Sequence, residues 1–160
     1  MSYDIHIGEA DVEGCLEDDE YWARVTVVGK SDENAPCFAG DGMTGNGNSR
    51  HPGYRQWADF CRRNGLYELF YAEWEGLLKP HPGCKPLKKE HLEKVKESLK
   101  KLEETDKRPP GLDPRYIEDS FAEIPAGEET HSYDKVRLIW MVWWMEWALK
   151  NCEHPAVANR

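Results

Sequence analysis

Leu138-Ile139-Trp140-Met141-Val142-Trp143-Trp144-Met145-Glu146-Trp147 is the stretch on which the fold turns. On a helical wheel, Val136, Trp140, Trp143 and Trp147 line one side, and Leu138, Val142, Met145, Leu149 and Cys152 line nearly the opposite side. A helix that is apolar around most of its circumference is buried on more than one side. The pattern therefore predicts a helix over 132–152 at the centre of a domain. A homodimer interface and a stacking platform for a flat ligand are two other uses of such a tryptophan set. Glu146 falls inside this apolar run and calls for a base, either Arg137 or one from residues 50–63.

Working outward, Leu92, Val95, Leu99 and Leu102 form a narrow stripe in a field of Lys and Glu, which predicts a surface helix over 87–104. Pro109-Pro110-Gly111 breaks it, and a short helix over 114–123 would bury Tyr116, Ile117 and Phe121. Tyr54, Trp57, Ala58 and Cys61 recur at helical spacing, so a helix is expected over 54–64, closed by Asn64-Gly65. A second helical segment over 66–78 carries Leu66, Leu69, Phe70, Trp74, Leu77 and Leu78, and Pro80, Pro82, Gly83 and Pro86 read as a rigid turn. At the N-terminus, Tyr3, Ile5 and Ile7 alternate with Asp4 and His6 as in a half-buried strand. Residues 21–28 are rich in β-formers. An antiparallel pair joined by the acidic stretch 9–20 is the economical arrangement. The expected fold is α+β: a small N-terminal antiparallel sheet packed on a helical set, in one domain over 1–160.

Composition bounds the class. The chain has 160 residues, 39% of them hydrophobic, with 7 Trp and 7 Tyr, which is too aromatic for a disordered chain. Leu138–Met145, the longest apolar run, is too short to span a membrane. Met1-Ser2-Tyr3-Asp4 has neither a basic nor an apolar leader region, so a cytoplasmic protein is expected. Net charge is −9, and residues 1–34 carry −8 of it. Such a field repels nucleic-acid phosphates and argues against non-specific nucleic acid binding. Residues 50–89 are locally basic, with eight Lys and Arg against four acids.

The five cysteines, 15, 37, 61, 84 and 152, have irregular spacing and read as reduced thiols, with Cys61 and Cys152 as small buried residues. His81-x-x-Cys84 with His91 is the nearest approach to a zinc pattern, and Cys152-x-His154 is too tight for the usual chelation. No cofactor or metal is expected. No nucleophile elbow, metalloprotease, kinase or carboxylate-pair signature is present, so no catalytic residue is assigned.

Residues 31–53 hold five Gly and two Pro, which excludes regular structure there. Gly45 and Gly47 lead towards Arg50 and His51. Glycine permits a backbone anion nest, and arginine adds a two-pronged phosphate contact. With Tyr54, Arg55, Arg62 and Arg63 close by in sequence, this forms the candidate ligand site. Asp18, Asp19 and Glu20, in the acidic stretch, form the candidate partner site.

The opening Ser2–Gly8, the Asn/Gly-rich middle, the Pro52-Gly53-Tyr54 helix start and the ending Asn151-Cys152-Glu153-His154-Pro155 resemble small phage and prophage proteins. The resemblance implies an accessory virion factor, a host-takeover factor or an inhibitor of bacterial defence. It also implies residence in the host cytoplasm and a non-enzymatic mode of action: occupying a protein partner or sequestering a signalling nucleotide. Three functions remain open. The first is a binder of a small phosphorylated or nucleotide-like ligand, which counters host defence by sequestration. The second is an acidic protein–protein inhibitor of a host factor. The third is an enzyme of unrecognised type, which would need a pocket with shifted carboxylates or histidines. The expected partners are a small anionic ligand or a host protein, without a membrane. Homodimerisation fits either binder.

Overall fold

A computed structural model describes residues 4–11, 26–28, 34–36, 48–50, 54–79, 83–115 and 124–159. The architecture is α+β. Strand β1 (Asp4–Asp11) is the spine of an antiparallel sheet with β2 (Thr26–Val28), β3 (Asn48–Arg50), β4 (Gly83–Pro86) and β5 (Pro155–Asn159). β5 runs along one edge of β1 with Val157 opposite Ile7, and β4 pairs with the far edge of β5. β2 and β3 share the other edge of β1, β2 opposite Glu9–Asp11 and β3 opposite Asp4–His6.

The pairing expected between the first strand and residues 21–28 is present over Thr26–Val28. Tyr21–Val25 lie outside the described residues. Three features differ from the sequence reading. β1 continues through Glu9 to Asp11, so part of the acidic stretch is strand rather than loop. The Gly-rich stretch contributes β3. The supposed rigid turn contains β4. Small and turn-forming residues dominate β4 and β5, and cross-strand pairing overrides their weak strand propensity. The prolines fit because Pro155 opens its strand and Pro86 closes an outer one.

Helix α1 (Tyr54–Arg63) ends as Asn64-Gly65 predicts. Gly65 takes φ +68°, its N–H bonds to the Arg62 carbonyl, and the Leu66 N–H reaches back to Cys61 at 2.8 Å. That is the paired closure a left-handed residue permits after a helix. Helix α2 (Tyr67–Tyr71) is far shorter than the segment expected over 66–78. The N–H groups of Leu77 and Leu78 cap the Leu69 and Phe70 carbonyls at 3.0 and 2.9 Å, so the chain folds back instead of continuing the helix. Helix α3 (Lys89–Thr105) buries Leu92, Val95 and Ser98. The helix predicted over 114–123 lies outside the described residues beyond Arg115.

Helix α4 (Tyr133–Asn151) is the buried centre, packed against both α3 and β1. Ser132 caps it by accepting the Lys135 N–H. Leu138, Trp140, Met141, Trp144, Met145 and Ala148 are buried, and Trp143 and Trp147 are half-buried with their rings edge-on to Trp144. Ile5 and Ile7 of the sheet and Trp57, Phe60 and Phe70 of α1 and α2 complete the core. Polar groups on α4 are absorbed by position. Lys135 is buried and its ammonium donates to the Asp106 and Arg108 carbonyls, which ties the turn after α3 to α4. Arg137 is buried among the Tyr133, Phe60 and Trp57 rings, 4.3, 5.4 and 5.7 Å from their centroids. Glu146 departs from expectation. It faces solvent and pairs with Lys96 of α3 at 2.6 Å, not with Arg137.

Trp144 lies at the middle of this packing. Replacing it with alanine is expected to remove about 3–5 kcal/mol of stability through lost contact and a residual cavity. Urea unfolding checks this: the midpoint should fall with an unchanged slope.

Candidate functional site

α2 and α3 leave a groove between them. Two clefts, each of about 480 Å³, meet at Glu68, Leu69 and Lys94. Leu69 is buried at their junction. One end of the groove is bounded by Trp74, Lys85, Lys88 and His91, and the other by Arg63, Ser98, Lys101 and Thr105.

Trp74 is 82% exposed, the one large hydrophobic side chain in that condition among the described residues. Its φ is +72°, a left-handed conformation that a bulky residue adopts only when its surroundings impose it. Those surroundings are visible. The Gly76 N–H bonds to the Ala72 carbonyl at 2.9 Å, and Leu77 and Leu78 fasten the returning chain to α2. A Cβ at Gly76 would stand 2.5 Å from the Phe70 carbonyl oxygen, so only glycine fits. From β4, Lys85 Nζ donates to the Trp74 carbonyl at 2.7 Å. The turn over 72–76 is thus held from both sides while its tryptophan points outward.

The facing wall is the start of α3. His91 Nδ1 accepts the Lys88 backbone N–H at 2.9 Å, which leaves the neutral ring's proton on Nε2. Burial, with Lys88 and Lys94 nearby, pushes the His91 pKa below its usual value against a smaller opposing effect of Glu90. At the far end, Arg63 makes two 3.1 Å bonds to Asp134, to which Asn64 also donates, and Ser98 Oγ donates to the Asn64 carbonyl at 2.8 Å. Three lysines, 85, 88 and 94, and three acids, Glu68, Glu75 and Glu90, line the Trp74 end. This makes it locally balanced in a chain of net charge −9.

Of the sequence-derived ligand residues, the structure places Arg63 in this groove, with its charge committed to Asp134. Arg62 pairs with Asp59 at 2.9 Å and lies over the Tyr67 ring. Arg50 closes β3, and Tyr54 and Arg55 open α1. Gly45, Gly47 and His51 lie outside the described residues, as do Asp18, Asp19 and Glu20. Cys61 and Cys84 are buried, Cys152 is half-buried, and burial pushes the Cys61 thiol far up, keeping it protonated. His81 lies outside the described residues. Trp74 is the clear correction: expected on a helix over 66–78, it lies in the turn after α2 and is exposed. Its signal was the motif Glu73-Trp74-Glu75-Gly76, in which a lone aromatic sits between two acids before a glycine.

No family model, no curated protein and no solved structure matches this chain. No described helix is long and apolar enough to cross a membrane.

Two outcomes follow from the groove's construction. Gly76→Ala is expected to cost about 2–4 kcal/mol, because backbone rather than a flexible side chain meets the new methyl group; thermal unfolding reads this. His91 contributes a pH dependence. Its folded-state pKa is depressed, so the unfolded chain takes up the proton first as pH falls through about 6.5. The contribution of the cap is complete above that pH and is lost below it. The stability advantage of wild type over His91→Asn should therefore shrink between about pH 7 and pH 5 in chemical unfolding.

Proposed function

We propose that the protein is a non-enzymatic binder that holds a small phosphorylated or nucleotide-like ligand in the groove between α2 and α3. The observation that carries this reading is the exposed Trp74, presented by a strained turn that closes only with glycine at position 76. A flat base stacks on its indole, an interaction of about 1–3 kcal/mol. Lys88 and Lys94 supply countercharge for a phosphate on the opposite wall, and His91 supplies an Nε2–H donor. Both hydroxyl groups that line the groove, on Ser98 and Thr105, donate to backbone carbonyls, and the one buried thiol in α1 is held protonated, which favours retention of a ligand over its conversion. In the phage setting that the sequence resemblance implies, retention of a signalling nucleotide counters host defence.

A second reading rests on Glu73 and Glu75, which flank Trp74. An indole between two carboxylates suits a basic protein surface, where tryptophan acts as the anchor and the acids speed encounter.

Titration calorimetry with mononucleotides, cyclic dinucleotides and inorganic phosphate separates the two readings. The first expects saturable binding of a nucleotide, weakened at least tenfold in Trp74→Ala and also weakened in Lys88→Ala/Lys94→Ala. Equal affinity in wild type and Trp74→Ala, or no binding of any of these probes, overturns it. Salt-sensitive capture of a basic protein that is lost in Trp74→Ala would establish the second.

A further inference from the structure

Away from the groove, β1, the end of α4 and the start of β5 converge. Strand alternation puts Glu9 on the face of β1 that carries the buried Ile5 and Ile7, and its side chain is itself half-buried. The segment Cys152–His154 turns the chain from α4 into β5 at the same place. Glu9 lies opposite Pro155 in the sheet, and the Ala10 N–H bonds to the His154 carbonyl at 2.9 Å, so the two segments are locked in register.

We propose that Glu9, Glu153 and His154 form a binding site for a single divalent transition-metal ion. One oxygen or nitrogen from each side chain lies within 4.8 Å of the other two. Donor atoms that share a zinc-sized ion at about 2.0–2.2 Å stand roughly 3–3.5 Å apart. The exposed side chain of Glu153 is free to close the remaining gap. Glu9 is already oriented. Its two carboxylate oxygens accept the Glu153 and His154 backbone N–H groups at 3.2 and 2.7 Å, which leaves each oxygen a lone pair directed away from the backbone. Among the described residues, no Lys or Arg pairs with Glu9 or Glu153, and neither ring nitrogen of His154 makes a hydrogen bond. Lys150 in the last turn of α4 reaches neither carboxylate. Two carboxylates with no cationic partner therefore lie beside an imidazole just past the negative end of a 19-residue helix, where a cation is favoured. One nitrogen and two carboxylate donors suit a first-row transition metal better than calcium or magnesium, which prefer all-oxygen sets. The spacing in Cys152-x-His154 gives no hint of the site because its third ligand is 145 residues away in sequence.

Cobalt(II) and zinc(II) titrations of the full chain test the proposal. The expected result is one ion per chain, with a cobalt spectrum free of the intense near-ultraviolet sulfur-to-metal band that cysteine ligation would give. Affinity should fall at least tenfold in both Glu153→Gln and His154→Gln, and wild type alone should gain thermal stability from zinc. Glu153→Gln alters an exposed side chain, so its unfolding midpoint in EDTA should match wild type, which separates a lost ligand from a lost fold. Wild-type affinity in either variant, a thiolate band, or no binding up to millimolar metal overturns the proposal.

Discussion

A helix with two apolar sides must be covered on both, and the rest of the molecule is arranged by that constraint. Most of the circumference of α4 is apolar along its middle turns, so it packs against the sheet through β1 and against α3. Burial of its tryptophans outweighs local preferences elsewhere. A lysine and an arginine are taken inside with it, one satisfied by backbone carbonyls and the other by aromatic faces. The carboxylate at position 146 is instead turned to the rim, where an exposed lysine meets it at little desolvation cost.

Much of this was legible in the chain. Helical spacing located α1, α3 and α4 to within a few residues, because α1 and α3 each have a clear apolar face and α4 is a long, nearly continuous apolar run. Asn64-Gly65 gave the end of α1 because a left-handed residue was required there. The sheet was only half legible. β1 announced itself by alternation. β4 and β5 have no strand chemistry of their own and exist because a partner edge is offered, a long-range fact that no local window contains. The short α2 was hidden for a related reason: Leu77 and Leu78 continue an apolar pattern that serves a reversing chain as well as a helix.

The candidate site was less legible than the fold. Sequence reasoning followed glycine and arginine, the usual signs of a phosphate loop, and the arginines at 62 and 63 proved to be engaged by neighbouring acids. The groove depends instead on a tryptophan that was expected on a helix with Leu66, Leu69 and Phe70. It sits on a turn that closes where Gly76 approaches the Phe70 carbonyl, and a contact between backbones leaves no periodic trace in a sequence.

The pairing of β1 with β5 also has a consequence for synthesis. A ribosome delivers β1 early, while the strand that completes its second edge arrives some 145 residues later. Through that interval β1 carries an open row of backbone donors and acceptors beside Ile5 and Ile7, the kind of edge that recruits other chains. Glu9 and Asp11 within β1 itself place negative charge along that edge during this period. Those two acids make the unpaired strand a poorer template for another copy of itself.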